Sequence, residues 1–257
     1  MIFSAGLNFP EGPVVLPDGS WLVVEMAQPG SVTHISPDGR DKQVIARTGR
    51  PNGLAVDKNG HIWVAESAQS VLLRMTLEGK TEVVASACDG QPFLWPNDLC
   101  FGPDGAIYMT DSGIRVNDYK VGNAPRPDFE QIPLDGRVFR IDPATGEASK
   151  LDSGLRFTNG IAFGPDGKLY VNETRTGMVY RYAWRDGGEV GPRENFGQSN
   201  PDPVPGYKGP DGMAFSQDGR LFVAIFGRGR VNIMDSNGQV VEQIPTRGLK
   251  PTNVAFG

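Results

Sequence analysis

Short apolar runs recur along the chain, and a polar amide or acid comes just before many of them. Leu22-Val23-Val24 and Leu221-Phe222-Val223 are examples, and Asp-Gly or Asn-Gly pairs separate such runs from their neighbours. These pairs are the strongest short signals for β-hairpin turns, because both positions tolerate positive φ. Gly 34 and Pro 21 together make up about a fifth of the 257 residues and leave little room for long helices. The pattern predicts many short strands joined by tight turns.

The runs belong to a repeat whose units each begin with one polar residue, which we call the head residue. The head residues are Glu11, Asn52, Asn97, Asn159, Asp211 and Asn253. In four units an acid ends the second apolar run, fourteen residues after the head: Glu25, Glu66, Asp111 and Glu173. A period of about 40 residues with four strands per unit is typical of a propeller blade. The sequence predicts an all-β, six-bladed β-propeller with four-stranded antiparallel blades, formed by residues 1–257 as a single domain.

Three departures from the repeat are visible. The third unit carries about 20 extra residues at 114–134 and the fourth about 10 at 194–209, and we expect both to be loops, which often carry function. The sixth unit stops four residues after Asn253, whereas a blade needs about 35 more. We therefore expect an incomplete last blade and interpret the chain as C-terminally truncated.

Composition and charge exclude several classes of function. Lys+Arg 25 against Asp+Glu 30 gives a net charge of −5 without any basic run, unlike a nucleic-acid binder. No apolar stretch approaches the roughly 20 residues that span a bilayer, and the first residues lack the basic region of a signal peptide. Two cysteines are too few for a disulfide framework. We predict a cytoplasmic protein with no nucleic-acid or membrane partner and leave its oligomeric state open.

The shared register places the head residues around one end of the central channel. For Asn52 or Asn159 alone a simple turn is the favoured explanation, but it explains the set badly, because each of the first five units already has its own turn seven residues later. Oxygen-bearing side chains around one axis suit a hard cation, and the carboxylates of Glu11 and Asp211 would balance the charge of Ca²⁺ or Mg²⁺. His34 and His61, the only histidines, are not head residues, which argues against the usual zinc site and against a histidine-activated nucleophile.

With these motifs the chain resembles the senescence marker protein, gluconolactonase and luciferin-regenerating enzyme (regucalcin-like) family of six-bladed propellers. The likeness covers residues 9–257 and rests on four motifs in one register: Phe9-Pro10-Glu11-Gly12-Pro13, Pro96-Asn97-Asp98-Leu99, Thr158-Asn159-Gly160-Ile161-Ala162 and Pro210-Asp211-Gly212-Met213. The resemblance implies lactone hydrolysis and one divalent cation at the channel mouth. Its implied ligands are Glu11, Asn159 and Asp211, with Asn97 in or beside the shell. Calcium is our first choice, and oxygen ligands also accept Zn, Mg, Mn or Fe.

We therefore predict a metal-dependent hydrolase that opens a small lactone, either a sugar lactone or a related compound. Asp211 is predicted to be both a ligand and the base that activates water, and Asn97 to take part in catalysis. Asn52, Asn97 and Asp111 are predicted to contact the substrate. For Asp111 the alternative is a structural role, because such acids also cap turns or pair with arginine.

Aromatic residues add a question about the substrate. Trp95 occupies the place where some sugar lactonases carry a substrate-contacting arginine, so we predict that it stacks on the substrate or walls the pocket. Phe93, Tyr119 and Tyr207 are candidates for the same wall, and a lactone less polar than gluconolactone is one interpretation. Two other functions stay open: a phosphotriesterase or esterase at the same site, and a non-catalytic scaffold that the ion stabilises.

Overall fold

The computed structural model describes residues 2–121, 124–201 and 208–257 and contains five four-stranded antiparallel sheets. In each sheet the strands lie side by side in sequence order, and the first strands of consecutive sheets pack against one another. The sheets are therefore blades 1 to 5 of a β-propeller, and the first strand of each lies innermost.

The first two blades are built from strands of five or six residues. Blade 1 contains β1 (Pro10–Val15), β2 (Trp21–Glu25), β3 (Ser31–Ile35) and β4 (Lys42–Arg47). Blade 2 contains β5 (Pro51–Val56), β6 (Ile62–Glu66), β7 (Val71–Met75) and β8 (Thr81–Ala85). A two-stranded hairpin, β9 (Ala87–Cys88) and β10 (Gln91–Pro92), leads to blade 3.

The third blade is interrupted by the first insertion. It contains β11 (Pro96–Phe101), β12 (Ile107–Asp111), β15 (Gly136–Ile141) and β16 (Ala148–Leu155). Between β12 and β15 lie α1 (Val116–Tyr119), β13 (Lys120–Val121) and β14 (Ala124–Pro125). Blade 4 contains β17 (Thr158–Phe163), β18 (Leu169–Glu173), β19 (Met178–Tyr182) and β20 (Glu194–Gln198). Blade 5 contains β21 (Gly209–Phe215), β22 (Leu221–Phe226), β23 (Arg230–Met234) and β24 (Val240–Pro245).

The predicted hairpin turns are confirmed between the first two strands of every blade. Each turn ends in a glycine with φ between 75° and 84°, which is the left-handed region that glycine enters without strain: Gly19, Gly60, Gly105, Gly167 and Gly219. The turns fix the hairpin register, so the apolar residues of each blade face the next blade. Leu22 and Val24 of blade 1, for example, share a buried cluster with Leu54 and Val64 of blade 2.

The prediction of six blades is wrong for this chain, because the structure forms five four-stranded sheets. Only four residues follow Asn253, too few to build three further strands. The segment 251–257 nevertheless lies between blades 5 and 1. The Gly212 amide donates to the Thr252 carbonyl oxygen (2.7 Å), and Thr252 Oγ1 donates to the Pro10 carbonyl oxygen (2.7 Å). It has no assigned strand, yet it bridges the innermost strands of the first and last blades.

The expectation that both insertions are loops is wrong in part. Residues 114–134 contain α1 and the β13–β14 hairpin, and Tyr119 at the end of α1 is fully buried in an aromatic cluster with Trp95 and Phe157. Residues 194–209 begin with β20, which is the outer strand of blade 4 and buries Phe196 against the core. A single buried aromatic was too weak a signal to separate a polar edge strand from a loop.

No helix within the described parts of the chain is long and apolar enough to cross a membrane.

Candidate functional site at the channel mouth

A β-bulge presents the head residue in each of the five innermost strands. The pairing with the second strand shifts by one residue directly after Glu11, and within the segments that contain Asn52, Asn97, Asn159 and Asp211. A bulge bends the strand and redirects the side chain of the residue within it. Five equivalent bulges therefore turn five polar side chains toward the same end of the channel.

The acids that end the second strands accept hydrogen bonds from the backbone just before these bulges. Glu66 accepts hydrogen bonds from the Arg50 amide (2.9 and 3.1 Å), two residues before Asn52, and Glu25 accepts one from the amide of Asn8 (2.8 Å). Glu173 makes the equivalent bond with the Arg156 amide. The repeated acid is thus a structural device that fixes the backbone just before the head residue.

Asp111 belongs to this structural set and is absent from the residues that line the cavity described below. Its carboxylate accepts from the Leu94 and Trp95 amides (2.7 and 3.2 Å), and Arg137 Nη2 lies 2.8 Å from Oδ2. The side chain is fully buried. The arrangement supports the structural alternative for Asp111 over contact with a substrate hydroxyl.

Five of the six head residues line a single cavity of about 250 Å³ at the channel mouth: Glu11, Asn52, Asn97, Asn159 and Asp211. All five are buried, at no more than 9% exposure. Asn253 lines a second cavity instead, between residues that lie further along the innermost strands, and its Nδ2 donates to Glu11 Oε2 (3.0 Å). The structure thus brings together every residue predicted to bind the cation.

Two of the amides are held in a defined orientation by neighbouring hydroxyls. Ser112 Oγ donates to the Thr158 carbonyl oxygen (3.0 Å) and so accepts from Asn97 Nδ2 (2.9 Å). Thr174 Oγ1 likewise donates to the Pro210 carbonyl oxygen (2.8 Å) and accepts from Asn159 Nδ2 (3.2 Å). Because each hydroxyl proton is already used, the amide nitrogen must face the hydroxyl. The Oδ1 atoms of Asn97 and Asn159 are left for a ligand.

The carboxylates in this region are poorly stabilised as anions by the protein itself. Burial, together with the charges of Asp211 and Asp98, raises the pKa of Glu11 well above its ordinary range. Burial raises the pKa of Asp211 to about 8, and a hydrogen bond from Asn159 only partly offsets it. The described residues contain no cluster of three His, Cys, Asp or Glu arranged to hold a metal. Two buried carboxylates with two oriented amide oxygens nevertheless form an all-oxygen donor set that fits a divalent cation.

Sequence reasoning assigned no role to a third buried carboxylate, that of Asp98. It follows Asn97 where the four other blades have glycine, and burial raises its pKa to about 7. Its charge also raises the pKa of both Glu11 and Asp211. The signal was present in the sequence, because Asp98 breaks the pattern in which a glycine follows the head residue.

The aromatic wall is only partly formed as predicted. Trp95 lines the cavity but is only 3% exposed, with Tyr119 and Phe157 packed edge-on against its ring. This burial supports the wall interpretation of Trp95 over stacking on a substrate. Phe93 is fully buried against Phe139 in the core between blades 2 and 3 and does not line the cavity. Tyr207 lies outside the described residues.

Three basic side chains, which sequence reasoning did not select, also line the cavity. Arg50 Cζ and Lys120 Nζ each lie 5.5 Å from the centre of the Trp95 ring, and Lys250 Nζ lies 5.8 Å from the centre of the Phe226 ring. Burial and the charge of Arg50 lower the pKa of Lys120 to about 8. The cavity therefore combines buried acids and amides with a group of cations.

Comparison with known proteins adds a family to this geometry. The family described as SMP-30/gluconolactonase/LRE-like region matches residues 9–257. A gluconolactonase of Zymomonas mobilis is 28% identical over an alignment that covers 100% of this chain and 75% of that enzyme. The pentonolactonase XacC of Haloferax volcanii is 34% identical over 58% of this chain and 51% of its own length. Alignments with several other curated relatives span less than half of those proteins.

Solved structures with the same fold cover nearly the whole chain. A gluconolactonase from Xanthomonas campestris superimposes with a TM-score of 0.80 at 26% identity, over 99% of this chain and 81% of that one. Regucalcin from Agrobacterium tumefaciens, a calcium-binding protein, gives a TM-score of 0.77 at 20% identity over 97% and 78%. The second likeness is evidence for the fold alone.

Proposed function

The chain belongs to the SMP-30/gluconolactonase/LRE-like family, and we propose that it is a lactonase whose reaction takes place in the cavity at the channel mouth. The relatives that support lactone hydrolysis include the gluconolactonase of Zymomonas mobilis, which aligns with the whole chain. The observation that carries the proposal is the convergence of Glu11, Asn52, Asn97, Asn159 and Asp211 on one small cavity.

A divalent cation is the proposed cofactor, held by Glu11, Asn159 and Asp211 with Asn97 in or beside the shell. Calcium is the first choice, because the donors are carboxylate and amide oxygens. When bound, the cation would polarise the lactone carbonyl and stabilise the negative charge that develops on its oxygen. Its charge also gives the buried carboxylates of Glu11 and Asp211 the compensation that the neighbouring residues do not supply.

The side chains of the cavity divide the remaining work. Asp211 accepts the proton of the attacking water, and this proton then protonates the ring oxygen as the acyl C–O bond breaks. Asn97, fixed by Ser112 (2.9 Å), presents Oδ1 to position the water or the carbonyl. Asn52 lines the same cavity and is proposed to contact the substrate. Trp95 and Phe157 form an apolar wall that limits the water available to the reaction.

The test is a panel of small lactones and one phosphotriester, assayed after chelation and again after calcium is restored. We expect lactone hydrolysis that disappears with chelator and returns with calcium. Asp211→Ala should lower kcat by about a thousandfold or more, because one change removes a charged ligand and the base. Asp218→Ala, which removes an exposed turn carboxylate, is the matched control.

Three results would count against the proposal. Turnover of the phosphotriester alone would move the activity to the esterase class. Lactone hydrolysis that persists in chelator would show that the reaction does not need the proposed cation. Inactivity toward every substrate with metal present would leave a non-catalytic propeller.

A further inference from the structure

The cations around the cavity are opposite in sign to the protein as a whole, which has a net charge of −5. Arg50, Lys120 and Lys250 line the same cavity as the head residues. They come from three distant parts of the chain: the segment before β5, the β13 strand of the insertion, and the segment after β24. Three separate elements thus bring positive charge to one small space.

The distribution of acidic side chains among the described residues does not account for the two lysines. No described acid lies within 4 Å of the Lys120 or Lys250 amino group, although ten pairs of that length between an arginine or lysine and an acid occur elsewhere in the described parts of the chain. Among the described residues the charge of the Asp211 carboxylate raises the pKa of Lys120, and the charges of Arg50 and Lys250 lower it. If Asp211 and Glu11 are neutralised by a divalent cation, Lys120 and Lys250 are left without a compensating carboxylate among the described residues.

Lys120 is the cation with the strongest reason to contact a ligand. It lies on the insertion directly after the fully buried Tyr119, so its backbone is anchored to the aromatic cluster around Trp95. It is half-buried, where an unpaired ammonium is costly. Burial lowers its pKa to about 8. A charge kept in such a place is stabilised when an anion enters beside it.

Resting on the proposed lactonase function, we infer that the substrate is a lactone that carries a carboxylate group, and that Lys120 binds this carboxylate while the carbonyl lies over the head residues. A cavity of about 250 Å³ suits a single small ring with a directly attached carboxylate. In the reaction, water adds to the carbonyl and the acyl C–O bond breaks. The ring oxygen keeps one proton, one proton is released, and the product is a hydroxy dicarboxylate.

The experiment compares two substrates that differ only in charge. One is a five-membered lactone with a carboxylate on the carbon next to the ring oxygen, and the other is its primary carboxamide. We expect the calcium-loaded wild type to favour the carboxylate by about tenfold or more in kcat/KM, as for a charge-assisted contact. Lys120→Met should bring this ratio close to one, and Lys120→Arg should restore much of the preference.

A matched variant controls for net charge. Lys58→Met removes one positive charge at the turn after β5, at the opposite end of that strand from Asn52, and should leave the ratio unchanged. Thermal melting of each variant shows whether the fold is intact. A second readout is binding, measured by tryptophan fluorescence. The protein is titrated with a cyclopentanone that carries the carboxylate or the carboxamide, because a ring ketone has no acyl C–O bond to hydrolyse.

The outcomes separate this inference from the proposed function. Hydrolysis of both lactones at equal rates, or a preference that survives Lys120→Met, would overturn the carboxylate assignment while leaving the lactonase intact. Faster turnover of a lactone with a phosphate ester on the same carbon would also overturn it, in favour of a phosphate. Hydrolysis of neither lactone, with other lactones in the panel hydrolysed, would overturn it as well. Inactivity toward all lactones would reject both proposals.

Discussion

Removing the Asp211 carboxylate should change how the stability of the metal-free protein depends on pH. In the folded chain burial raises the pKa of Asp211 to about 8, against 3.8 for an ordinary aspartate. Between these values the folded protein keeps a proton that the unfolded chain has lost. The stability that goes with this proton is complete below pH 3.8 and is lost as the pH rises toward 8.

The magnitude follows from the linkage of protons to unfolding. One proton per molecule corresponds to about 1.4 kcal/mol per pH unit, so raising the pH from 5 to 7 should cost about 3 kcal/mol through Asp211 alone. For a chain of 257 residues this corresponds to a fall in Tm of about 5–10 °C. The raised pKa values of Glu11 and Asp98 act in the same direction.

The assay is thermal and urea unfolding in chelator between pH 5 and 8, with the isosteric variant Asp211→Asn beside the wild type. The free energy of unfolding of the variant should fall less steeply with pH. The difference in slope should correspond to close to one proton per molecule. Asp218→Asn serves as control. The exposed Asp218 has a pKa below 3.8, so its carboxyl group does not titrate between pH 5 and 8. Saturating calcium should raise the Tm of the wild type more at pH 8 than at pH 5.

Parallel pH profiles for the wild type and Asp211→Asn would refute the reasoning. They would mean that the Asp211 carboxylate is already compensated by the protein without a cation.

Three further predictions concern other parts of the site. Asn159→Ala should raise the calcium concentration needed for activity, with partial rescue by excess ion, whereas Asn97→Ala should lower kcat even at saturating calcium. Calcium titrations of both variants, read by activity, test this. If excess calcium rescues Asn97→Ala and not Asn159→Ala, the two roles are exchanged. Arg137→Met should lower the free energy of unfolding by about 3 kcal/mol, because it leaves the Asp111 carboxylate buried without its cation, and an unchanged denaturant midpoint would contradict this. Replacing residues 114–134 by a short turn should alter substrate choice and also lower the Tm, because the segment buries an aromatic side chain; a variant with the original substrate profile would show that the insertion is not part of the pocket.

Much of the blade architecture was predictable because its signals are local. Asp-Gly and Asn-Gly pairs determine hairpin turns within a few residues, and the repeated register carried the head residues to one cavity. The total of six blades, with the last one incomplete, was not predicted correctly, because the repeat was counted by its heads and the structure forms five four-stranded sheets. A head residue such as Asn253 marks the start of a blade and does not supply its remaining strands.

The parts of the site that sequence reasoning missed depend on contacts between distant segments. Nothing near Lys120 in the sequence indicates that it reaches the same cavity as Arg50 and Lys250, because that contact exists only once the insertion packs on Trp95. Asp111 was predicted to contact the substrate because it ends a second strand, as do Glu25, Glu66 and Glu173. The structure gives Asp111 the same backbone-holding contacts as the other three, and only the hydrogen bonds reveal this role.

The hydroxyls that orient Asn97 and Asn159 also connect neighbouring blades, and they do so at only part of the channel mouth. Each links an amide of one blade to a backbone carbonyl of the next, so Asn97 is tied to blade 4 and Asn159 to blade 5. Asn52 has no such link among the described contacts: Ser67, its counterpart of Ser112, donates instead to the Arg50 carbonyl oxygen of its own blade. Of the three amides that line the cavity, Asn52 is therefore the one that no described hydroxyl orients, and we expect it to adjust most readily to ligands of different size.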